Sequence, residues 1–301
     1  RRLVIPPVAA AAAPAAQPAA DKPRSLPALD VVAEQFQFKD KQLGRLELGA
    51  VPAEREWRID RLQISSPEGS FNGSGAWQTA AAPGRTQLNL RLETGDAGKL
   101  LTRLGYPDSV QGGSARLEGV LHWAGAPQDF DYPTLSGNLA LQAQKGQFLR
   151  LKPGVGKLLG IMSLQSLHRR ITLDFRDIFS DGLVFDEILG AANITRGIAA
   201  IDGFHIQSPS ARVLMSGDVD LIRETQNLRV KIAPGLSDSV SIAGALLGGP
   251  VAGIAAFLAQ KILKDPLGRL ATYEYNVTGS WADPQVTRVG QPEPASQEAA
   301  Q

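Results

Sequence analysis

"TQLNLRLE", residues 86–93, alternates without a break. Leu88, Leu90 and Leu92 fall on one side of an extended chain, and Gln87, Asn89 and Arg91 fall on the other. Successive side chains of a strand point to opposite faces, so this period of two predicts a strand with one apolar and one polar face. The pattern returns in both directions from it. "ARLEGVLHW" aligns Ala115, Leu117, Leu121 and Trp123, and Leu139 and Leu141 stand two apart further on. "ITLDF" aligns Ile171, Leu173 and Phe175. "RVLMSGDVDL" aligns Val213, Met215, Val219 and Leu221. "LRVKI" aligns Leu228, Val230 and Ile232, and "YEYNV" aligns Tyr273, Tyr275 and Val277. Gly, Pro, Asp and Ser bound these runs, which marks them as antiparallel strands, about ten in all.

An internal repeat organises them. "IDRLQISSPEGSFNGSG" (Ile59–Gly75) lies over "IDGFHIQSPSARVLMSG" (Ile201–Gly217) without a gap, at a spacing of 142. The shared residues are Ile59/Ile201, Asp60/Asp202, Ile64/Ile206, Ser66/Ser208, Pro67/Pro209, Ser74/Ser216 and Gly75/Gly217. The unit reads as strand, Ser-Pro turn, strand, then Ser-Gly. Glycines inside strands at Gly119, Gly137 and Gly279 echo it and predict bulges or bends that curve the sheet. Stacked units of this kind build an extended β-structure.

Two segments break the alternation. "GVGKLLGIMSLQSLHR" (154–169) reads as a helix near 154–168. "VSIAGALLGGPVAGIAAFLAQKIL" (240–263) carries no charge before Lys261. Gly248, Gly249 and Pro250 interrupt it, because glycine is a poor helix former and proline removes a donor. The expected shape is a helical hairpin over 239–264, with Leu246, Leu247, Val251, Ile254, Phe257 and Leu258 on its apolar surface. Three uses stay open: packing on the sheet, contact with a bilayer as a gate, or a span.

The body is flanked by low-complexity ends. Residues 1–27 are rich in Ala and Pro and read as a linker, with Leu3–Ile5 as the end of a strand. Residues 290–301 read as a disordered tail, leaving 28–289 as one β domain that includes the hairpin. The chain opens Arg1-Arg2-Leu3, so it reads as a piece of a longer protein. Of its 301 residues 43% are hydrophobic, enough for a sizeable core. There are 31 basic and 30 acidic residues and no cysteine, which excludes disulfides and Cys-based metal sites and offers nothing to nucleic acid.

The usual chemistry is missing from the motifs. No G-x-S-x-G elbow and no H-E-x-x-H pair occurs. His122, His168 and His205 sit in separate contexts and read as polar-face residues. Asp174, Asp177, Asp181, Asp186 and Glu187 cluster in "DFRDIFSDGLVFDE" but fail the Ca²⁺-loop register. "GVGKLLG" lacks the Ser/Thr that follows the lysine of a phosphate loop. Arg169-Arg170 is the only adjacent basic pair of the body. The reading is a protein without catalytic residues, metal or cofactor.

Four long stretches carry a family likeness. They are "LPALDVVAEQFQFKDKQLGRLELGA" (26–50), "WRIDRLQISSPEGSFNGSGAW" (57–77), "GVGKLLGIMSLQSLHRRITLDFRDIFSDGLVFDEILG" (154–190) and "GGPVAGIAAFLAQKILKDPLGRLATYEYNVTGSWADPQV" (248–286). With them the chain resembles the YhdP branch of the AsmA-like proteins. The resemblance implies a mainly β fold: a curved, twisted antiparallel sheet forming a taco-like groove of repeated meanders. It also implies a periplasmic module of a Gram-negative protein that an N-terminal helix, absent from this chain, anchors in the inner membrane. Such proteins are implicated in moving phospholipid between the two membranes. The inward residues would then line an acyl-chain groove: Leu88, Leu90, Leu92, Leu117, Leu121, Leu139, Leu141, Leu173, Phe175, Val213, Met215, Val219, Val230, Ile232, Tyr275 and Val277. The hairpin would close the path or touch the outer membrane. The alternative is a structural or docking module that contacts an outer-membrane or cell-wall partner, with a filled core and no lipid path. Alternation alone fits an open groove and a filled core equally well.

Overall fold

The computed structural model describes residues 2–5, 27–38, 40–79, 84–149, 182–234 and 273–289. Strands account for most of them. They are β1 (Arg2–Ile5), β2 (Leu29–Phe38), β3 (Lys41–Pro52), β4 (Glu56–Ser66), β5 (Gly69–Gln78), β6 (Arg85–Thr94) and β7 (Val110–Ala124). There follow β8 (Ser136–Phe148), β9 (Leu183–Thr195), β10 (Ile198–Gln207), β11 (Ala211–Asp220), β12 (Thr225–Pro234), β13 (Tyr273–Ser280) and β14 (Pro284–Arg288). All belong to one sheet whose spatial order is the chain order, β1 to β14. Strand β1 joins β2 in parallel, and from β2 onward every neighbouring pair is antiparallel. The two outer strands do not pair with each other, so the sheet is open. This mainly β meander is consistent with a curved groove.

Among the described residues the sheet holds 14 strands, against about ten expected for the whole chain. The additions are β2, β3, β9 and β14, where the alternation is interrupted; β1 is the strand whose end Leu3–Ile5 marks. Gly44 and Gly49 break it in β3, and Asp186-Glu187 break it in β9. A short helix, α1 (Ala97–Arg103), also goes beyond the expectation. Its start signal is plain in retrospect: Asp96 caps it by accepting from the Lys99 N–H at 3.0 Å. The helices expected near 154–168 and 239–264, and the strand holding Leu173 and Phe175, lie outside the described residues.

The 142-residue repeat is a repeat of register. In β4 and β5, Ile59 faces Gly75, the pairing then slips, and Leu62 faces Gly73. In β10 and β11, Ile201 faces Gly217, the pairing slips, and Phe204 faces Met215. Each bulge falls just after an Ile-Asp pair, and each Ser-Pro turn closes the hairpin. A bulge adds one residue to one strand and increases its local bend and twist. The repeated sequence therefore bends the sheet twice in the same way.

An antiparallel meander places alternate turns on the same rim. One rim collects the β3–β4, β5–β6, β7–β8, β9–β10, β11–β12 and β13–β14 connections. The other collects the β4–β5 turn and α1. It is also where the chain leaves the sheet at Phe148 and Pro234 and returns at Leu183 and Tyr273. The first, where all four tryptophans stand, is the tryptophan rim, and the second is the insertion rim.

Candidate functional site

Directly paired residues share a face, so registers can be followed from strand to strand. One row runs Val31, Leu48, Leu62, Gly73, Leu90, Gly119 and Leu139. It continues through Ala192, Ile201, Gly217, Leu228, Val277 and Val286. That is an unbroken apolar line from β2 to β14. A second row runs Ala33, Leu46, Ile64, Phe71, Leu92, Leu117 and Leu141. It reaches Gly190 of β9, and the Phe204 ring fills the space a side chain at Gly190 would take. Met215, Val230 and Tyr275 carry the line on. A third joins Leu88 to Leu121 and Val219, and a fourth joins Ala143 to Ile188, Ile206, Val213 and Ile232. Every groove residue named from sequence and described here thus lies on one face. Leu173, Phe175 and the hairpin residues Leu246, Leu247, Val251, Ile254, Phe257 and Leu258 lie outside the description.

The opposite face is charged. Arg45 bridges Glu34 and Glu47 at 3.3 and 3.0 Å, and Arg61 reaches Asp30 at 3.4 Å. Arg91 and Arg116 converge on Glu93 at 2.8 and 2.9 Å, and Arg91 holds that carboxyl below its ordinary pKa. Arg229 meets Glu274 at 3.1 Å. His122 pairs with Gln87 and Ser136 on this face, three strands from His205, so the two histidines form no joint site.

The apolar face changes along its length. Over β10 to β13 it is closed: Val213, Ile232 and Val277 are 0% exposed, and Met215, Leu228 and Val230 are 1% exposed. Over β4 to β8 it is partly open: Leu62, Ile64, Phe71, Leu88, Leu90, Leu92, Leu117, Leu139 and Leu141 are all half-buried. A contiguous, half-exposed apolar stripe marks a binding surface far better than scattered leucines do.

The rims differ in chemistry. All four tryptophans of the chain, Trp57, Trp77, Trp123 and Trp281, stand on one of them. Trp57 pairs with Trp77, and Thr86 joins Trp77 to Trp123. Phe130 stacks between Trp123 and Tyr132, with ring centroids 5.0 and 5.1 Å away. Sequence reading aligned only Trp123 with an apolar face. The missed signal was that each tryptophan lies beside a turn on the same side of the meander. On the insertion rim a polar cleft of about 440 Å³ is lined by Gln42, Glu68, Lys99, Thr102 and Arg103. Arg103 donates to both oxygens of Glu68, at 2.6 and 2.9 Å, and holds its pKa down to about 2. These groups are spent on tying α1 to the β4–β5 turn.

Among the described residues no group of three His, Cys, Asp or Glu converges as a metal site, and no helix is long and apolar enough to cross a membrane. A family model described as YhdP protein matches residues 1–286. The intermembrane phospholipid transporter YhdP of Escherichia coli (strain K12) is 27% identical over 267 residues, which is 88% of this chain. The chain spans 21% of that relative's length. No solved structure matches.

Proposed function

The chain belongs to the YhdP protein family, and from that premise we propose that it is a non-enzymatic module of an intermembrane lipid-transport protein, holding phospholipid acyl chains along the apolar face of its sheet. The observation that carries this reading is the row from Val31 to Val286, which crosses 13 strands without a charged side chain. A lipid conduit needs a continuous apolar surface backed by a polar one, and no catalytic group. Each buried CH₂ contributes about 0.8 kcal/mol, so acyl chains are held by area alone. Leu88, Leu90, Leu92, Leu117, Leu139 and Leu141 form the accessible part of the path, with Leu121 buried beside Leu88. Val213, Met215, Val219, Val230, Ile232, Tyr275 and Val277 form its closed end, with Leu173 and Phe175 assigned to the path from sequence.

The module works in the periplasm as one domain over 28–289, within a longer protein anchored in the inner membrane. Residues 239–264 gate the path or touch the outer membrane. The described strands on either side of it in the chain end at Pro234 and begin at Tyr273, on the insertion rim.

A second reading draws on the closed end. A face that is 0% exposed at Val213, Ile232 and Val277 behaves as a filled core. A docking module for an outer-membrane or cell-wall partner would need no more.

The test is native mass spectrometry with lipid extraction on the chain purified from a Gram-negative host without detergent. The expected result is bound phospholipid that Leu90→Asp removes while the thermal transition stays cooperative. A folded, lipid-free protein that takes up nothing from vesicles would favour the docking module.

A further inference from the structure

Among the described residues, the buried side-chain nitrogen and oxygen atoms without a hydrogen-bond partner are Trp77 Nε1, Trp281 Nε1, and Nε2 and Oε1 of Gln226. All belong to the tryptophan rim. The other two indoles of that rim are satisfied: Trp57 donates to the Pro27 carbonyl at 3.1 Å and Trp123 to the Ala126 carbonyl at 3.1 Å. Buried polar groups are nearly always paired, and each exception calls for a partner.

Gln226 is 4% exposed and sits on the apolar face, between Val219 and Gly279. It is the second residue of β12, so it lies just inside the rim. Trp281 follows Gly279 by two residues, which places it diagonally across from Gln226 on the same side of the sheet. Trp77 stands seven strands away, about 34 Å at ~4.8 Å per strand. A Cβ at Gly84 would lie 2.6 Å from its Nε1, so only glycine lets the chain pass this close to the buried indole N–H. A leucine at 226 would cover the same face without an unpaired amide.

We propose that the tryptophan rim is a line of hydrogen-bond donors for the ester carbonyls of a glycerophospholipid, with stations at Trp77 and at the Gln226–Trp281 pair. The proposal rests on the acyl-chain reading above and adds to it which rim the headgroups leave by. The depth fits. With acyl chains on the leucine rows, the first polar atoms of the lipid, its ester carbonyls, fall at the rim. Indole N–H and amide NH₂ groups donate to those oxygens, and Gln226 Oε1 accepts from a hydroxyl or ammonium of the head. Indoles suit this boundary because they are apolar bodies with one donor.

The test loads the whole 301-residue chain from vesicles of dioleoyl phosphatidylglycerol, or of its dioleyl ether analogue, which keeps the headgroup and lacks the carbonyls. Wild type should retain the diester about tenfold better than the diether, the scale of one to two hydrogen bonds. Gln226→Leu and Trp281→Phe should each cut diester retention by roughly threefold to tenfold, leave the diether unchanged, and hold or raise the melting temperature. Trp77→Phe should repeat the effect at the far station. Equal retention of the two lipids by wild type, or undiminished diester retention in the Gln226→Leu/Trp281→Phe double variant, overturns the rim assignment and spares the acyl-chain reading. Failure of both lipids to load overturns the rim assignment and the acyl-chain reading together.

Discussion

Gly75 and Gly217 show how single residues shape this sheet. A Cβ at Gly75 would run into the Gln87 backbone carbonyl, and one at Gly217 into the Asn227 carbonyl. Gly217 also holds a φ of +129°, where a side chain is strained. Both obstacles are backbone atoms of the next strand, which cannot step aside as a side chain can. Gly75→Ala should therefore cost roughly 2–3 kcal/mol in denaturant unfolding. Gly49 is the control: its nearest atom would be Arg61 Cβ at 3.8 Å, so Gly49→Ala should change stability by less than ~0.5 kcal/mol. Glu68 makes a second test at this scale. Its folded pKa of about 2 lies below the ordinary 4.5, because Arg103 bonds the ionised form. A depressed pKa contributes stability above the unfolded value, and that contribution is lost as pH falls through the folded one. Glu68→Gln should thus cost on the order of 1 kcal/mol at neutral pH, with the gap to wild type closing between about pH 4.5 and pH 2.

At the scale of elements, strands of similar sequence differ in what they tolerate. Leu90 of β6 and Val230 of β12 both stand in alternating runs, yet Val230 is 1% exposed and Leu90 is half-buried. A charge at Val230 would be taken out of water without a partner, so Val230→Asp should abolish cooperative folding. Leu90→Asp can keep its carboxylate wet and should cost only about 1–2 kcal/mol, which makes it the variant for lipid assays. Circular dichroism melts of the pair decide this, and equal losses would mean that β6 is closed over too. The helix α1 hangs on its cap and on Arg103: Asp96→Ala should lower the melting temperature by loosening the insertion rim without touching the apolar face. Period two revealed β6, β7, β11, β12 and β13 because their apolar and polar residues strictly alternate. It missed β3 and β9, where glycines or acidic residues sit inside the run and pairing with both neighbours makes the strand.

Across the whole molecule, the rows from β2 to β14 extend about 58 Å at ~4.8 Å per strand. One end of that length is closed and the middle is partly open, so lipid should leave a graded footprint. Hydrogen exchange should show the slowest amides in β10–β13 with or without lipid, and added protection on loading over β4–β8 and in the turns beside Gln226 and Trp281. Protection gained only in β10–β13 would reverse the assignment of the open path. The amino-acid sequence by itself determined the mainly β class, the repeat with its Ile-Asp pairs and Ser-Pro turns, and the family. These are local or periodic signals: alternation writes a two-faced strand, and turn residues write its ends. Only the tertiary structure decided that the faces join into continuous rows, that β10–β13 are covered while β4–β8 are partly open, and that four tryptophans far apart in the chain share one rim. Each of those depends on register and on what lies across a face. A strand's own residues look the same beside a filled core and beside an open trough.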